Sequence, residues 1–155
     1  MKYLISAIVM LAICACSSTP ARYGAHARVT DAQMNEAVMY ALSLADTPYH
    51  FGGNSPNSGF DCSGFVDHVY KEKLGITLPR TSREISRVGS KVSLDQLQTG
   101  DLVFYNTLHQ SYSHVGIYVG DGKFVHAPKS GSSIRTEIMN DHYWLTRYNG
   151  ARRIR

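Results

Sequence analysis

Cysteine is almost missing from this chain of 155 residues: there are three, and only Cys62 lies beyond the first sixteen positions. A framework of internal disulfides is thereby excluded. No CxxC or HxxxH spacing occurs, so the usual zinc signatures are lacking. There is no low-complexity tract and no internal repeat, and the length fits a single domain. Charge of one sign is not concentrated either. Sixteen Lys and Arg stand against twelve Asp and Glu, a net charge of +4. The basic residues are scattered except in Arg152-Arg153-Ile154-Arg155, which leaves no stripe for nucleic acid. Such a charge supports only weak attraction to anionic polymers of a cell envelope. The most apolar stretch, Tyr3 to Ile13, is too short to cross a bilayer with its flanks.

That stretch follows Lys2 and precedes small residues and Cys16, the layout of an export signal. Ile13-Cys14-Ala15-Cys16 resembles a bacterial lipobox, with Cys16 as the lipid acceptor. Residues 1–15 are expected to be a lipoprotein signal peptide, and 16–29, rich in Ser, Pro, Gly and Ala, a tether behind lipidated Cys16. Several acyl chains on Cys16 suffice for stable anchoring. Ser17, not Asp, follows Cys16, which resembles the sorting pattern for the outer membrane, facing the periplasm. Loss of Lys2 with the leader takes the charge one unit down from +4, to +3. In that oxidising compartment Cys62 would be the one free thiol of the folded domain, 30–155.

Thr30 reads as an N-cap with Gln33 completing a capping box, followed by Met34, Ala37, Val38, Ala41, Leu42 and Ala45 at helical spacing. Asp46-Thr47-Pro48 ends that helix, and residues 49–59, dense in Gly, Asn, Ser and Pro, read as loop. A second helix follows Asp61, with an apolar stripe of Phe65, Val66, Val69, Tyr70 and Leu74 and a stop at Gly75. A third is expected over Ser82 to Val88. From there the apolar period becomes two. Strands are expected at 101–105, 114–119, 123–126, 133–136 and 150–154, with a tight hairpin at Gly120-Asp121-Gly122. Helices before strands predict an α+β fold, helices packed on a central antiparallel sheet. The ten tyrosines read as half-buried strand residues.

Cys62 stands between polar Asp61 and Ser63 at the start of a helix, not inside an apolar run. A helix N-terminus favours an anion, so the thiol pKa is expected to fall below its ordinary value. Backbone N–H groups there could also hold an oxyanion. An isolated cysteine can equally be a small buried hydrophobe. The histidines bear on this choice. His26 falls in the tether, His68 sits mid-helix among charged neighbours and reads as solvated, and His109 and His142 fall in polar stretches. His114 heads one strand and His126 ends the next. Pairing Val119 with Lys123 sets position 114 opposite 128, which puts His114 and His126 close on neighbouring strands. A thiol with a base and an orienting partner is a nucleophile system. The same three side chains could ligate zinc, though no ligand spacing supports it.

Six blocks occur in order: residues 47–53 (TPYHFGG), 61–65 (DCSGF), 78–82 (LPRTS), 100–105 (GDLVFY), 114–119 (HVGIYV) and His126-Ala127. Together they resemble the NlpC/P60 family of cell-wall peptidases, over about residues 30 to 155. With the lipobox, the chain resembles the small NlpC/Spr-type lipoproteins of that family. The resemblance implies a papain-like fold and a cysteine peptidase that hydrolyses amide bonds of peptidoglycan stem peptides or their cross-links. No metal or other cofactor is expected, since thiolate catalysis needs none, and the domain is expected to be a monomer. It implies Cys62 as nucleophile, His114 as base and then acid, and His126 as the orienter of His114. Tyr49, Asp61 and Ser63 match positions that meet substrate or oxyanion, whereas Arg80 reads as structural. Thr99 stands where the family often has Pro, and His50 where an aromatic or Arg is common. Two other functions remain open: a non-catalytic wall-binding lipoprotein, and a thiol acyltransferase or amidase acting elsewhere.

Overall fold

The computed structural model describes residues 28–155. The leader, Cys16 and most of the tether lie outside them. Helix α1, Asp31–Ser43, starts at Thr30, whose side chain accepts from the Gln33 N–H while Gln33 reaches back to the cap. Helix α2, Cys62–Leu74, is capped by Asp61 and ended by Gly75 in the left-handed region. It packs against both α1 and the sheet.

Six strands form one antiparallel sheet. They are β3 (Ser90–Val92), β4 (Leu102–Tyr105), β5 (His114–Gly120), β6 (Lys123–His126), β7 (Arg135–Ile138) and β8 (Tyr148–Arg153). Their spatial order is β3-β8-β4-β5-β6-β7. Both faces of the centre are covered. Leu102, Phe104, Val115, Ile117 and Val125 pack under the helices with Phe65, Val66 and Val69. Val103, Tyr105 and Phe124 face the other way, onto Trp144 and Met139. All four residues of β4 are consequently buried, which is why its sequence is a continuous apolar run instead of an alternation.

The helix-then-sheet architecture agrees with the α+β expectation. Several local readings do not. The segment read as loop contains a small hairpin, β1 (Asn54–Ser55) with β2 (Gly59–Phe60), strands too short to leave a periodic signal. The third helix, α3, stops at Ile85 because its capping box at Thr81 and Glu84 supports a single turn before the chain reverses at Gly89, φ +73°. A 3-10 turn at Leu94–Gln96, strand β3 and a one-turn helix α4 (His142–Leu145) had no legible pattern. Tyr70 and Tyr105 are fully buried, not half-buried.

Candidate active-site cleft

Cys62 is the first residue of α2, and a close approach fixes where that helix starts. A Cβ on Gly64 would lie 2.1 Å from the Gly53 carbonyl oxygen, so only glycine lets the first turn press against the Gly52-Gly53 bend. Asp61 ties the two together. One carboxylate oxygen accepts from the Gly64 N–H at 2.7 Å, the other from the Gly52 N–H at 3.1 Å. Ser63 Oγ adds a bond at 3.1 Å, and Arg80 closes a bidentate pair at 3.1 and 2.5 Å while also donating to Ser63 Oγ at 2.9 Å. Asp61 and Ser63 are buried in this cluster, and the half-exposed Arg80 is its outer member. Burial alone would raise the Asp61 carboxyl; Arg80, the Gly64 N–H and Ser63 outweigh it and hold it below its ordinary value.

The thiol behaves differently from the expectation drawn from its position at the helix start. Burial pushes Cys62 up, to about 11, and the Asp61 carboxylate adds to the effect. Backbone N–H groups of Val115, Ser63 and Cys62 itself pull the other way without prevailing. The helix terminus that should favour a thiolate is already occupied by the Asp61 anion, which takes the Gly64 N–H.

Cys62, Tyr49 and His114 line one cleft of about 270 Å³, together with Thr107, Leu108 and Ser113 of one loop and Pro128-Lys129-Ser130 of another. His114 enters from the start of β5, opposite Tyr105 of β4. Ile117 pairs with Val125, and that register continued sets Gly116 opposite His126 and position 114 opposite 128; next to the turn, however, a bulge pairs Lys123 with Gly120 and not with Val119, the partner that the sequence suggested. His114 and His126 therefore share a face, two residues out of step. His114 Nε2 lies 2.7 Å from His126 Nδ1, with the rings near perpendicular at 88°. Between them stands Gly116, where a Cβ would meet Phe124 Cδ2 at 2.6 Å and His126 Cβ at 3.2 Å.

With Nε2 of His114 engaged by His126, Nδ1 is the nitrogen left for the cleft. To accept a thiol proton there, His114 must carry hydrogen on Nε2 and donate it to His126 Nδ1, which puts the His126 hydrogen on Nε2. That last atom is buried without a hydrogen-bond partner among the described residues. It belongs to a ring packed against Trp144 at 5.0 Å and 89°, while His114 stacks on the same indole at 5.9 Å and 26°. Burial holds His114 down, to about 4; it lowers His126 as well, with help from His114 and Arg135. Both partners of the Cys62–His114 pair are thus neutral at rest.

Tyr49 is half-buried at the cleft, its hydroxyl raised by burial and by Cys62 and Asp61. Arg80, read as structural, supports the buried Asp61, a partnership between distant segments that nothing in the sequence signalled. His68 is not solvated: it is half-buried, bonded to the Tyr40 hydroxyl at 2.9 Å and packed on Phe60. Thr107, Leu108, Ser113, Lys129 and Trp144 were not singled out by the sequence. The single tryptophan was the one signal available for the last of them. Among the described residues no three His, Cys, Asp or Glu side chains are grouped so as to hold a metal ion, and no helix is long and apolar enough to cross a membrane.

Comparison with known proteins adds an independent observation. Residues 46–153 match the model of the NlpC/P60 family. The chain is 43% identical over 110 residues to murein DD-endopeptidase MepH of Escherichia coli, covering 69% of this chain and 41% of that protein. It is 41% identical over 117 residues to the gamma-DL-glutamyl hydrolase of Bacillus subtilis, covering 75% of this chain and 28% of that one. The matched region is therefore less than half of either relative. The crystal structure of an NlpC/P60 family protein from Bacillus cereus superposes with a TM-score of 0.71 at 37% identity, over 77% of this chain and 39% of that one. By its sequence and by its fold, the chain belongs to the NlpC/P60 family.

Proposed function

We propose that this protein is a peptidoglycan endopeptidase that hydrolyses amide bonds of murein stem peptides or their cross-links through Cys62, His114 and His126. The observation that carries the reading is the cleft shared by Cys62 and His114, with His114 Nε2 held 2.7 Å from His126 Nδ1. The names of two relatives, a murein DD-endopeptidase and a gamma-DL-glutamyl hydrolase, support amide hydrolysis on such substrates.

Because thiol and imidazole are both neutral at rest, proton transfer accompanies attack. Cys62 sulfur adds to the amide carbonyl as its proton passes to His114 Nδ1. The imidazolium forms next to His126, whose Nδ1 accepts from Nε2 and keeps the ring in place. Backbone N–H groups at the start of α2 face the developing oxyanion, with the Tyr49 hydroxyl beside them. His114 then gives the proton to the leaving amine. Neutral again, it draws a proton from the water that releases the acyl group. Tyr49 contacts the stem directly, and Asp61 and Ser63 contribute to stem binding at the Arg80 cluster.

Cys16 anchors the enzyme by lipid to the outer membrane, within reach of the wall and facing the periplasm; the domain acts as a monomer. The mass of the mature N-terminal peptide, from wild type and from Cys16→Ser, tests the anchor. Digestion of purified sacculi, with masses of the released muropeptides, tests the activity and identifies the bond. Wild type should release cleaved stems, or monomers from cross-linked dimers. The same products from Cys62→Ala would sink the nucleophile assignment.

A further inference from the structure

We propose that Lys129 forms a subsite for a free carboxylate that flanks the scissile amide of the substrate. This deepens the peptidase reading above and rests on it for the identity of the substrate.

Lys129 is the one formally charged side chain among the residues that line the cleft with Cys62 and His114. It is exposed, and no carboxylate pairs with it among the described residues. Charges elsewhere near the thiol are already balanced, since the Asp61 carboxylate is taken by Arg80. The cleft therefore presents a single uncompensated cation.

Its backbone is fixed although its side chain is free. The Lys129 carbonyl accepts from the Ser132 N–H at 3.2 Å and from Ser132 Oγ at 2.6 Å, closing a turn three residues beyond His126. The Ser132 carbonyl in turn accepts from the Tyr49 N–H at 2.8 Å, and the Ile134 N–H donates to the Thr47 carbonyl at 2.9 Å. The Lys129 turn and the Tyr49 segment are thus stapled together beside the thiol. A flexible ammonium rising from a rigid turn suits a point contact with one carboxylate oxygen, whereas a bidentate clamp would call for arginine.

Murein chemistry supplies the partner. In a cross-link between D-alanine and a diamino dicarboxylic acid, the carbon that bears the leaving nitrogen also carries a carboxylate. In a γ-D-glutamyl bond, the α-carboxylate of the glutamate hangs on the acyl side. Either bond brings one anion within a few atoms of the carbonyl that Cys62 attacks, and the two differ in the side from which it comes.

Two pairs of synthetic stem peptides separate these sources: one pair with the diamino-acid carboxyl free or as the carboxamide, the other with the glutamate α-carboxyl free or as the carboxamide. Wild type should cleave the acid about fivefold better in kcat/KM than the amide in one pair, the size of a modestly screened ion pair. The responsive pair names the source. Lys129→Ala should bring the ratio to about one, Lys129→Glu should invert it, and Lys71→Glu, at the far end of α2, should leave it as in wild type. An unchanged ratio in Lys129→Ala, or no preference in either pair with wild type, overturns the proposal. Dissociation constants of the same peptides for Cys62→Ala enzyme give a readout independent of turnover. Retained discrimination there without hydrolysis by wild type would sink the peptidase reading and keep the subsite; equal constants for all four peptides would sink the subsite.

Discussion

His126 touches no substrate in the reading above, yet its two nitrogens decide which form of His114 faces the thiol. Removing it should lower kcat without raising KM. His126→Ala is expected to cost about 10²-fold in kcat, and His126→Asn, which still offers an acceptor to His114 Nε2, to recover part of it. Steady-state kinetics on one muropeptide checks this, and a loss confined to KM would contradict an orienting role. The same pair makes stability depend on pH. An unfolded histidine titrates near its ordinary 6.5, whereas folded His114 resists protonation down to about 4 and His126 is lowered too. Between those values the unfolded chain binds protons that the folded chain refuses, so acidification favours unfolding. Stability should be full above about pH 6.5 and fall by about 1.4 kcal/mol per pH unit for each such histidine below it. Half-buried His68 adds a contribution of the same sign. Urea unfolding from pH 7 to 4.5 measures the slope, and a flat profile would mean that the pair is not held neutral. At this scale the sequence was legible in placement: it put Cys62 at the start of a helix and His114 and His126 close on neighbouring strands, where the structure has them. It misled on the thiol, because burial by β5 and a neighbouring anion are properties of the packed chain and not of the helix start. It was silent on the partnership of Arg80 with Asp61, nineteen residues apart.

Among the elements, α2 and β6 have the bounds that their patterns predicted, since a capping Asp, a stop at Gly75 and a hairpin at Gly120-Asp121-Gly122 are all local signals. The unread elements are those with no room for a period: β1 and β2 with two residues each, β3 with three, α4 with four. Yet α4 matters, because it delivers Trp144 onto the back of both histidines. The β5–β6 pair is equally exacting. A methyl group at Gly116 would meet Phe124 Cδ2 at 2.6 Å, the Val125 carbonyl oxygen at 2.9 Å and His126 Cβ at 3.2 Å. Two of these neighbours are a packed ring and a backbone oxygen, neither free to swing aside. Gly116→Ala should therefore cost about 1–3 kcal/mol of stability and shift His126 away from His114. Because small misplacements of catalytic groups are expensive, kcat should fall about 10²-fold under conditions where the variant is folded. Thermal melts beside kinetics at low temperature would test both effects. Wild-type kcat in a folded Gly116→Ala protein would show that the spacing between the histidines is not set there.

For the whole molecule, helices first and strands after were enough to give the α+β class, because layer architecture follows from the order of periodicities. The order of the strands was beyond reach. The last strand, β8, inserts between β3 and β4, and such a placement rests on pairings between distant segments that leave no local trace. One of them is ionic. Asp101, almost wholly buried at the start of β4, receives Arg153 of β8 through two bonds of 2.8 and 2.7 Å and the Gln98 N–H at 2.8 Å. The pair fastens the final strand to the sheet's centre, on a different element from the cleft. Replacing Asp101 by Ala would remove a fully desolvated acceptor and strand the Arg153 charge. A buried pair broken on one side costs about 3–5 kcal/mol; Arg153 keeps about a quarter of its side chain in water, so about 2–4 is expected. For a domain of this size that is a fall of roughly 5–12 °C in Tm. Because Cys62, His114 and His126 lie on α2, β5 and β6, kcat at low temperature should stay within a factor of about two of wild type. A melt as high as wild type would mean that β8 is held by its backbone ladder alone. A normal melt with lost activity would instead couple the β4–β8 junction to the cleft through β5, whose Tyr118 N–H donates to the Asp101 carbonyl at 2.8 Å.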